Sequence, residues 1–262
     1  IKEEEYQEIM EKEPELKKWI HPYIGADEFI KGKKRWCLWL KHASPKEIMA
    51  SKILSEKVEK VRQFRLSSKA KTTNGYAKVP QLFAQITQPD DVDFLIIPSV
   101  SSERRRYVPI GFATQDIISS NAVQIVPNAT LYHFGVLTSN VHMAWMRAVC
   151  GRLKSDYRYS KEIVYNTFPW PKPTEEQKIK IEHTAQKILN AKEQYSDCSL
   201  ADMYGEKMYL FPELVKAHQD NDRAVMQAYG FTKGSEAYKS EAACVAELMK
   251  LYQKKVEELE KR

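Results

Sequence analysis

Three prolines lie within six residues in the segment Phe168–Pro173, whose sequence is FPWPKP. Because proline lacks a backbone N–H and fixes φ at about −65°, such a segment can form neither a regular helix nor a central strand. The composition changes across it, from short runs rich in β-formers to long stretches with helical periodicity. The segment therefore predicts a domain boundary after residue 172.

Around this boundary we predict three regions and a fold of the α+β class. Residues 1–20 form an N-terminal linker helix, interrupted at Pro14. Residues 21–172 form a domain in which an irregular, mixed or antiparallel β-region is decorated by helices. Residues 173–262 form an all-helical C-terminal domain.

Short local patterns predict the elements inside the first domain. Ser44, Pro45 and Glu47 are the residue types of an N-cap, a first helical position and a capping box, which predicts a helix from there to about Ser67. Ser139 is the predicted N-cap of a later helix with an apolar stripe. Runs of β-formers between turn residues predict short strands over residues 93–100, 104–112, 122–126 and 131–137.

Length and charge exclude some classes of protein. With 262 residues, of which 41 are basic and 35 acidic, the chain is globular and has a formal net charge of +6. This excess permits nucleic-acid binding without requiring it. No apolar run approaches the roughly 18 residues of a membrane span, so we expect a cytoplasmic protein with no membrane partner. A start at Ile1, without methionine, suggests a part of something longer.

The sequence motifs of common enzyme and metal sites are absent. None of the nine glycines belongs to a G-x-G sequence, so the sequence has no dinucleotide fingerprint, and it has no P-loop. The six histidines show no HExxH spacing, and the four cysteines form no CxxC pair that would hold zinc. We therefore predict no catalytic residue, no metal site and no cofactor site in this chain itself.

The stretch over residues 151–171 combines charges of both signs with three tyrosines. In an extended chain, alternate side chains share a face. Lys154, Asp156 and Arg158 would then form an ionic face, and the opposite face would be largely aromatic. Two hypotheses fit this pattern: an edge strand with a solvated charged face, and a surface that presses donors and acceptors against the edges of bases.

Basic side chains concentrate in two other places. Residues 45–71 contain eight basic side chains and three glutamates, a local excess of five, and end in the polar loop 67–75. A solvated helix face and a set of phosphate contacts both explain this cluster. Arg104, Arg105 and Arg106 put three consecutive cations on one predicted strand, so at least one face of it should be wet or face an anion.

Four segments resemble those of a known family. They are YIGADEFIKGKKRWCLWL, ERRRYVPIGF, NATLYHFGVLTSNVHMAWMRAVCGRLKSDYRYSKEIVYNTFPWP and PELVKAHQDNDRAV. Over about residues 20–230 the chain resembles the C-terminal third of the fused type II restriction–modification enzymes of the MmeI-like family. In that family, the N-terminal portion carries a nuclease module and an adenine methyltransferase module that uses S-adenosylmethionine. The C-terminal portion is the target-recognition domain and a helical segment.

The resemblance implies a function for this chain and its parent. The chain would recognise a specific sequence in double-stranded DNA through base edges in the major groove, without being an enzyme alone. The parent would be a prokaryotic, adenine-specific methyltransferase that uses S-adenosylmethionine, with Mg²⁺ if a nuclease is present. Further partners would be the N-terminal methyltransferase and nuclease modules of the same polypeptide. The alternative is a non-catalytic docking or scaffold domain of a larger nucleic-acid enzyme.

The resemblance also implies roles for individual residues. The family reads one base pair with two charged residues spaced two apart, here Lys154 and Asp156. It reads another with the position of Arg158, together with a residue from an earlier β-run that aligns to Ala122. Lys154 can donate to guanine while Asp156 accepts from its cytosine partner, so the pair is expected to specify G, and Arg158 is expected to contact a purine. The candidates for phosphate contacts are Lys69, Lys71, Arg104, Arg105, Arg106 and Arg152.

Overall fold

The computed structural model describes residues 1–261, which form two compact units. The N-terminal unit comprises Ile1–Ile24, Lys33–Asp91 and Gln115–Ser120. The C-terminal unit comprises Gly25–Gly32, Val92–Thr114 and the chain from residue 121 onward. Both units contain helices and strands, and the predicted α+β class is confirmed.

The elements are as follows in chain order. The α-helices of the described residues are α1 (Glu3–Lys12), α2 (Ala26–Lys31), α3 (Pro45–Ala50), α4 (Lys52–Leu66), α5 (Lys71–Gly75), α6 (Leu131–Leu137), α7 (Asn140–Val149), α8 (Glu175–Glu193), α9 (Leu200–Met203), α10 (Pro212–Ala228), α11 (Glu236–Lys239) and α12 (Glu241–Glu260). The strands are β1 (Ile20–Ile24), β2 (Trp36–Leu38), β3 (Phe94–Pro98), β4 (Val100–Ser101), β5 (Gly111–Ala113), β6 (Ile118–Ser119), β7 (Val123–Pro127), β8 (Gly151–Leu153) and β9 (Asp156–Arg158). A π-helical turn spans Lys161–Tyr165, and 3₁₀ segments span Pro14–Trp19, Tyr76–Lys78 and Met208–Leu210.

A three-stranded sheet and the surrounding helices form the N-terminal unit. In this sheet β1 pairs antiparallel with β2 and parallel with β6. The buried core consists of Ile9, Leu16, Ile20, Leu40 and Leu54. Three of these side chains, those of Ile9, Leu16 and Ile20, come from the first 20 residues, so this segment contributes to the core of the unit.

The run predicted as one helix up to about Ser67 forms two helices. Ser44 caps α3 as predicted, because its backbone N–H donates to the Glu47 carboxylate at 3.0 Å and its Oγ accepts from the Glu47 N–H at 3.3 Å. Ser51 then has an extended backbone, and its Oγ accepts from the N–H of Leu54 at 3.0 Å. A second N-cap therefore interrupts the run and starts α4.

Two antiparallel sheets and a group of packed helices form the C-terminal unit. The first sheet has the order β5-β3-β7, and the second has the order β4-β9-β8. Helix α8 packs against both α6 and α10. The core between these elements includes the fully buried side chains of Leu95, Phe134, Trp145, Ile181 and Leu214.

The strand predicted over residues 131–137 is wrong, because this run forms α6. The helix begins after Thr130, whose backbone N–H donates to Nδ1 of His133 at 3.1 Å. Gly135 lies so close to α8 that a Cβ built there would be 2.7 Å from Cγ2 of Ile181. The β-formers of this run are therefore buried by helix packing rather than by a sheet.

The strand predicted over residues 104–112 is also wrong for most of its length. Only its end forms a strand, Gly111–Ala113. The three arginines lie before it in a turn, in which the N–H of Arg105 donates to the carbonyl oxygen of Ser102 at 3.1 Å. Strand alternation therefore does not distribute these cations between two faces.

The proline-rich segment Phe168–Pro173 has neither helix nor strand, as predicted. Phe168 is fully buried, and the carbonyl oxygen of Pro169 accepts a hydrogen bond from the Tyr229 hydroxyl at 2.9 Å. The helices from α8 to α12 follow, beginning at the N-cap Thr174. The predicted divisions at residues 20/21 and 172/173 stay predictions, since the two compact units divide the chain at other positions.

Candidate nucleic-acid interface

Strands β8 and β9 form a hairpin, here called the 151–158 hairpin. Leu153 pairs with Asp156, so Lys154 and Ser155 form a two-residue loop. Lys154 has a φ of 57°, and a positive φ at the first loop residue suits the tight turns of such hairpins. Both loop residues are exposed, so the tip of the hairpin is accessible to solvent.

The two faces of this hairpin differ in burial. Directly paired residues share a face, so Asp156 and Arg158 lie on one face with their partners Leu153 and Gly151. Residues of this outer face are exposed or half-buried. Tyr157 lies on the inner face and is 8% exposed. Strand β9 therefore has the ionic face and the aromatic face that its alternation predicts.

Lys154 departs from the predicted arrangement. The alternation rule applies to an extended chain, and Lys154 lies in the loop with a left-handed backbone. Its position at the hairpin tip is close to Asp156 along the chain, but alternation does not put it on the outer face of β9. The prediction that three charged side chains share one strand face is therefore wrong for Lys154.

A buried contact with α7 anchors the end of β9. Tyr159 is 3% exposed, and its hydroxyl lies 3.0 Å from Nε2 of the fully buried His142. Burial lowers the pKa of His142 to about 3, so the imidazole is neutral at physiological pH. Phe168 packs edge-on against the His142 ring with centroids 4.5 Å apart. Three buried rings thus hold the strand that carries Asp156 and Arg158.

The segment around β4 connects the hairpin to Ala122. Val100 pairs with Arg158. The preceding residue, Ser99, donates its N–H to the carbonyl oxygen of Ala122 at 3.0 Å and accepts from the N–H of Tyr159 at 2.9 Å. Ala122 and the Arg158 end of β9 therefore flank the same segment, about 10 Å apart at two strand spacings.

The consecutive arginines have different surroundings. Arg104 forms a salt bridge of 2.9 Å with Glu206, and both side chains are exposed, so this pair contributes little to stability. Arg105 is half-buried, and its buried Nε has no hydrogen-bond partner within residues 1–261. Burial lowers the pKa of Arg105, and the nearby carboxylate of Asp156 opposes that change. Arg105 is therefore the most enclosed arginine of this run.

These arginines line a pocket of about 430 Å³. Arg147 also lines it, and its guanidinium donates to both carboxylate oxygens of Glu241, at 2.8 Å and 2.7 Å. The third contact of Arg147 is to the carbonyl oxygen of Arg106 at 3.2 Å, and the Arg106 guanidinium lies 5.3 Å from the centroid of the Tyr107 ring. Two cations of the pocket are therefore paired with carboxylates, Arg147 with Glu241 and the more exposed Arg104 with Glu206.

The remaining predicted phosphate ligands lie in two different places. Arg152 stacks on the Tyr157 ring at 4.0 Å from its centroid and donates to the carbonyl oxygen of Ser155 at 2.7 Å. Its guanidinium thus braces the inner face of the hairpin. Lys69 and Lys71 belong to the N-terminal unit, where both are exposed and neither forms a salt bridge with a described residue.

Leu153 is a surface residue that the sequence reasoning missed. It is 52% exposed, pairs directly with Asp156, and shares the outer face with Arg158. Its position depends on a two-residue loop at Lys154 and Ser155. That loop lacks the glycine and asparagine typical of such turns, so the sequence carried no signal for it.

Residues 1–261 contain neither a cluster of metal ligands nor a membrane-spanning helix. This part of the chain contains no group of three or more His, Cys, Asp or Glu side chains that could hold a metal ion. It also contains no helix with the length and apolar character needed to cross a membrane. Burial raises the pKa of the Cys37 thiol to about 12 and that of Cys244 to about 11, so both thiols are protonated at neutral pH.

Comparison with known proteins finds relatives along nearly the whole chain. The family model described as "MmeI, target recognition domain" matches residues 1–172, and the model described as "MmeI, C-terminal domain" matches residues 173–260. The chain is 36% identical over 253 residues to the protein named DNA methyltransferase A of Bacillus subtilis (strain 168), a match that covers 97% of this chain and 28% of that protein.

A solved structure is similar as well. It is that of the type IIL restriction-modification enzyme MmeI in complex with DNA, with a TM-score of 0.91 and 45% sequence identity. The match covers 97% of this chain and 33% of that one. The chain thus spans about a third of the length of the relatives it matches.

Proposed function

The chain belongs to the MmeI family, and we propose that it is the module with which a longer DNA methyltransferase recognises a specific sequence in double-stranded DNA. The 151–158 hairpin supports this proposal most directly. Its outer face presents Asp156 and Arg158, while Tyr157 on its inner face is buried. A two-stranded ribbon fits the major groove of B-DNA, and the similar MmeI structure was solved with DNA.

Lys154 and Asp156 read one base pair in this proposal. A lysine donates to O6 and N7 of guanine, and an aspartate accepts from N4 of the paired cytosine. The hairpin register keeps both residues at the same end of the ribbon, since Lys154 begins the loop and Asp156 follows it. The pair is expected to specify G on the strand that Lys154 contacts.

Arg158 reads a second base pair together with Ala122. The Arg158 side chain is exposed on the central strand of its sheet. Its partner Gly151 has no side chain, and a Cβ built there would meet nothing within 4 Å, so the guanidinium has room to extend. Arginine donates readily to N7 and O6 of guanine, which favours a purine at this position.

Exposed cations supply the phosphate contacts. Arg104 is held only by a surface salt bridge, which a DNA phosphate can replace, and Arg106 lies beside it in the same pocket. Lys69 and Lys71 are exposed in the N-terminal unit. Neutralising any one of these four should weaken binding to all DNA sequences. The slope of the logarithm of the binding constant against the logarithm of the salt concentration should become less steep by about one.

The parent protein is proposed to be a prokaryotic, cytoplasmic, adenine-specific methyltransferase. Its N-terminal portion would bind S-adenosylmethionine, and a nuclease module, where present, would require Mg²⁺. Family membership and the identity to a protein named DNA methyltransferase A support this inference.

The test is a base-preference measurement on the full-length protein. Methylation of a DNA library with randomised positions is compared between the wild type and the double variant Lys154→Glu with Asp156→Arg. The double variant should change the preference at one position from G to C, because the acceptor and the donor exchange places. The preference at the position read by Arg158 should stay unchanged.

A matched control makes a similar charge exchange elsewhere. Lys250 and Glu247 form an exposed pair at 2.7 Å on α12, so Lys250→Glu with Glu247→Arg should leave the base preference unchanged. A double variant of Lys154 and Asp156 that still prefers G would contradict the base assignment. Binding that neither discriminates between sites nor depends on salt would favour a protein-docking domain instead.

A further inference from the structure

Helix α4 leads into a short segment, residues 67–75, that carries two of the proposed phosphate ligands. Lys69 lies in the loop after α4 and Lys71 begins α5, and both side chains are exposed. The side-chain amide of Asn74 in α5 donates to the carbonyl oxygen of Leu66 at 2.8 Å. Carbonyl groups in the last turn of a helix lack a partner within that helix, so this hydrogen bond satisfies one of them and ties α5 back to α4.

Arg65 on α4 closes the same segment a second time. Its Nη1 donates to the carbonyl oxygens of Tyr76 at 2.9 Å and Val79 at 3.0 Å, and its Nη2 donates to that of Leu82 at 2.7 Å. The three acceptors are spaced three residues apart, along a 3₁₀ segment and the turn after it, so they face the same side. One guanidinium can bind all three because its N–H groups diverge in a rigid, planar fork.

Two arginines of α4 therefore differ in what they contact. The Arg65 guanidinium is half-buried, and both of its Nη atoms donate to carbonyl groups of this chain. Arg62, one turn earlier, is exposed, and its guanidinium lies 3.2 Å from the carboxylate of Glu59 on the same helix. Arg65 thus joins distant parts of the chain, whereas Arg62 makes a local pair on the helix surface.

We propose that Arg65 is a positioning residue for phosphate binding, which fixes residues 67–75 so that Lys69 and Lys71 meet the DNA backbone as preformed contacts. This inference rests on the proposed phosphate contacts of these two lysines. It separates Arg65 from the other basic residues of the cluster over residues 45–71, since Arg65 binds carbonyl groups of this chain rather than DNA.

Loop closure is the physical basis of this role. Residues 67–75 are bracketed by Arg65 and Leu66 on one side and by the groups that bind them on the other. A segment closed in this way has lost much of its conformational entropy before DNA binds, and a free segment would lose it on binding. Such an ordering cost releases no ions, so it lowers the affinity by the same factor at every salt concentration.

DNA binding by the full-length protein tests this proposal, measured by fluorescence anisotropy of a labelled duplex at several salt concentrations. Arg65→Lys keeps the positive charge, but the compact ammonium group lacks the fork that reaches three carbonyl groups. The affinity should fall about threefold to tenfold at every salt concentration, and the slope against salt should stay unchanged. Lys69→Gln and Lys71→Gln should each make that slope less steep by about one.

The decisive comparison introduces Arg65→Lys into a protein that already carries Lys69→Gln and Lys71→Gln. The affinity should then change by less than about twofold, since no lysine contact is left for Arg65 to prepare. An undiminished loss of affinity in this background overturns the proposal, because that is the result for a general disturbance of the N-terminal unit. An unchanged affinity of the single variant Arg65→Lys also overturns it, because that is the result for a direct phosphate ligand.

Arg62 provides the matched control. Arg62→Lys makes the same substitution one turn earlier on α4, and it should keep the affinity within about twofold of its parent in both backgrounds. A loss as large as that of Arg65→Lys would overturn the proposal, because the effect would then not depend on the three carbonyl contacts.

Failure of the underlying phosphate contacts gives a different result. If Lys69→Gln and Lys71→Gln leave both the affinity and the slope unchanged, the two lysines do not bind phosphate, and both inferences fall together. If the lysine variants behave as expected while Arg65→Lys binds like the wild type, only the role of Arg65 is overturned. The base-preference test on Lys154 and Asp156 is independent of both results.

Discussion

A substitution on the outer face of the 151–158 hairpin is expected to change base recognition, whereas a substitution in the core of the C-terminal unit is expected to change stability. On the hairpin, Asp156 and Arg158 lie on the three-residue strand β9, where Asp156 is half-buried and Arg158 is exposed. In the core, the buried Asn221 donates to the carbonyl oxygen of Gly135 at 2.7 Å and accepts from the Thr184 hydroxyl at 3.0 Å. Under the proposed function, base recognition and stability therefore depend on different residues. Side chains that read bases can be exchanged at little cost in folding free energy.

The largest effect on stability is expected at Phe168. It is fully buried and packs edge-on against His142, so Phe168→Ala should reduce the free energy of unfolding by about 3–5 kcal/mol. The base preference of the molecules that remain folded should not change. Urea denaturation followed by circular dichroism measures the first quantity, and library methylation at low temperature measures the second.

An exposed phenylalanine is the matched control. Phe64 on α4 is 71% exposed, and Phe64→Ala should change the free energy of unfolding by no more than about 0.5 kcal/mol. A Phe168→Ala protein with normal stability and an altered base preference would contradict the hypothesis that core residues determine stability while hairpin residues determine base preference.

The same core should make the fold sensitive to acid. His142 and His218 are buried, and burial lowers the pKa of both, that of His142 to about 3. Histidines of the unfolded chain titrate near about 6.5, so below this pH the unfolded chain binds protons that the folded chain does not. The free energy of unfolding should fall by roughly 1.4 kcal/mol per pH unit for each histidine, from about pH 6.5 down to its folded pKa.

Asp222 opposes part of this loss. Burial raises its pKa to about 6, above the unfolded value of about 3.9, so the folded chain binds the extra proton between these two pH values. Its contribution to stability is present below about pH 4 and is lost as the pH rises through about 6. Between pH 6 and pH 5, His142, His218 and Asp222 together should make the unfolded chain bind about one proton more than the folded chain, so the free energy of unfolding falls. Denaturation at several pH values gives the slope of the free energy of unfolding against pH. This slope should correspond to about one proton less for His142→Gln than for the control variant Arg158→Ala. Equal slopes for the two variants would show that His142 does not cause the sensitivity to acid.

Tyr159 joins the two regions, and a smaller effect is expected there. Tyr159→Phe leaves Nε2 of His142 without its partner, and Nδ1 of the same ring has no hydrogen-bond partner among the described residues. The free energy of unfolding should fall by about 1–3 kcal/mol. Because Tyr159 follows Arg158 directly, the purine preference should also weaken, by less than about tenfold.

Tyr157→Phe tests whether that effect belongs to the hydrogen bond. The Tyr157 ring is buried beneath Arg152, but its hydroxyl has no hydrogen bond within the described residues. Its removal should leave both stability and base preference nearly unchanged. Equal effects of the two substitutions would show that ring packing, and not the contact with α7, holds the strand.

Local signals in the sequence were enough for some elements and not for others. The N-cap at Ser44 and the apolar stripe of α7 depend on residues a few positions apart, and both were predicted. The run that forms α6 was predicted as a strand because Phe134 and Val136 are β-formers. The close approach of Gly135 to α8 decides the outcome, and that contact exists only in the folded chain.

The candidate site shows the same limit. Alternation along β9 correctly put Asp156 and Arg158 on one face, since that rule needs only an extended chain. It failed at Lys154, because a Lys-Ser loop lacks the usual turn residues. The three consecutive arginines follow β4, and the pairing of β4 with β9 brings these distant parts of the sequence together.

The smallest effect is expected at Leu153, the residue that sequence reasoning missed. The side chain is 52% exposed, so Leu153→Ala should change the free energy of unfolding by no more than about 0.5 kcal/mol. Leu153 pairs with Asp156 on the outer face, where an apolar group can exclude water from a hydrogen bond to a base or contact a thymine methyl. Library methylation should therefore show a preference weakened by less than about tenfold at the Lys154–Asp156 position. If the preference is unchanged, the outer face discriminates between bases through its charged groups alone, and the contrast with the core becomes sharper.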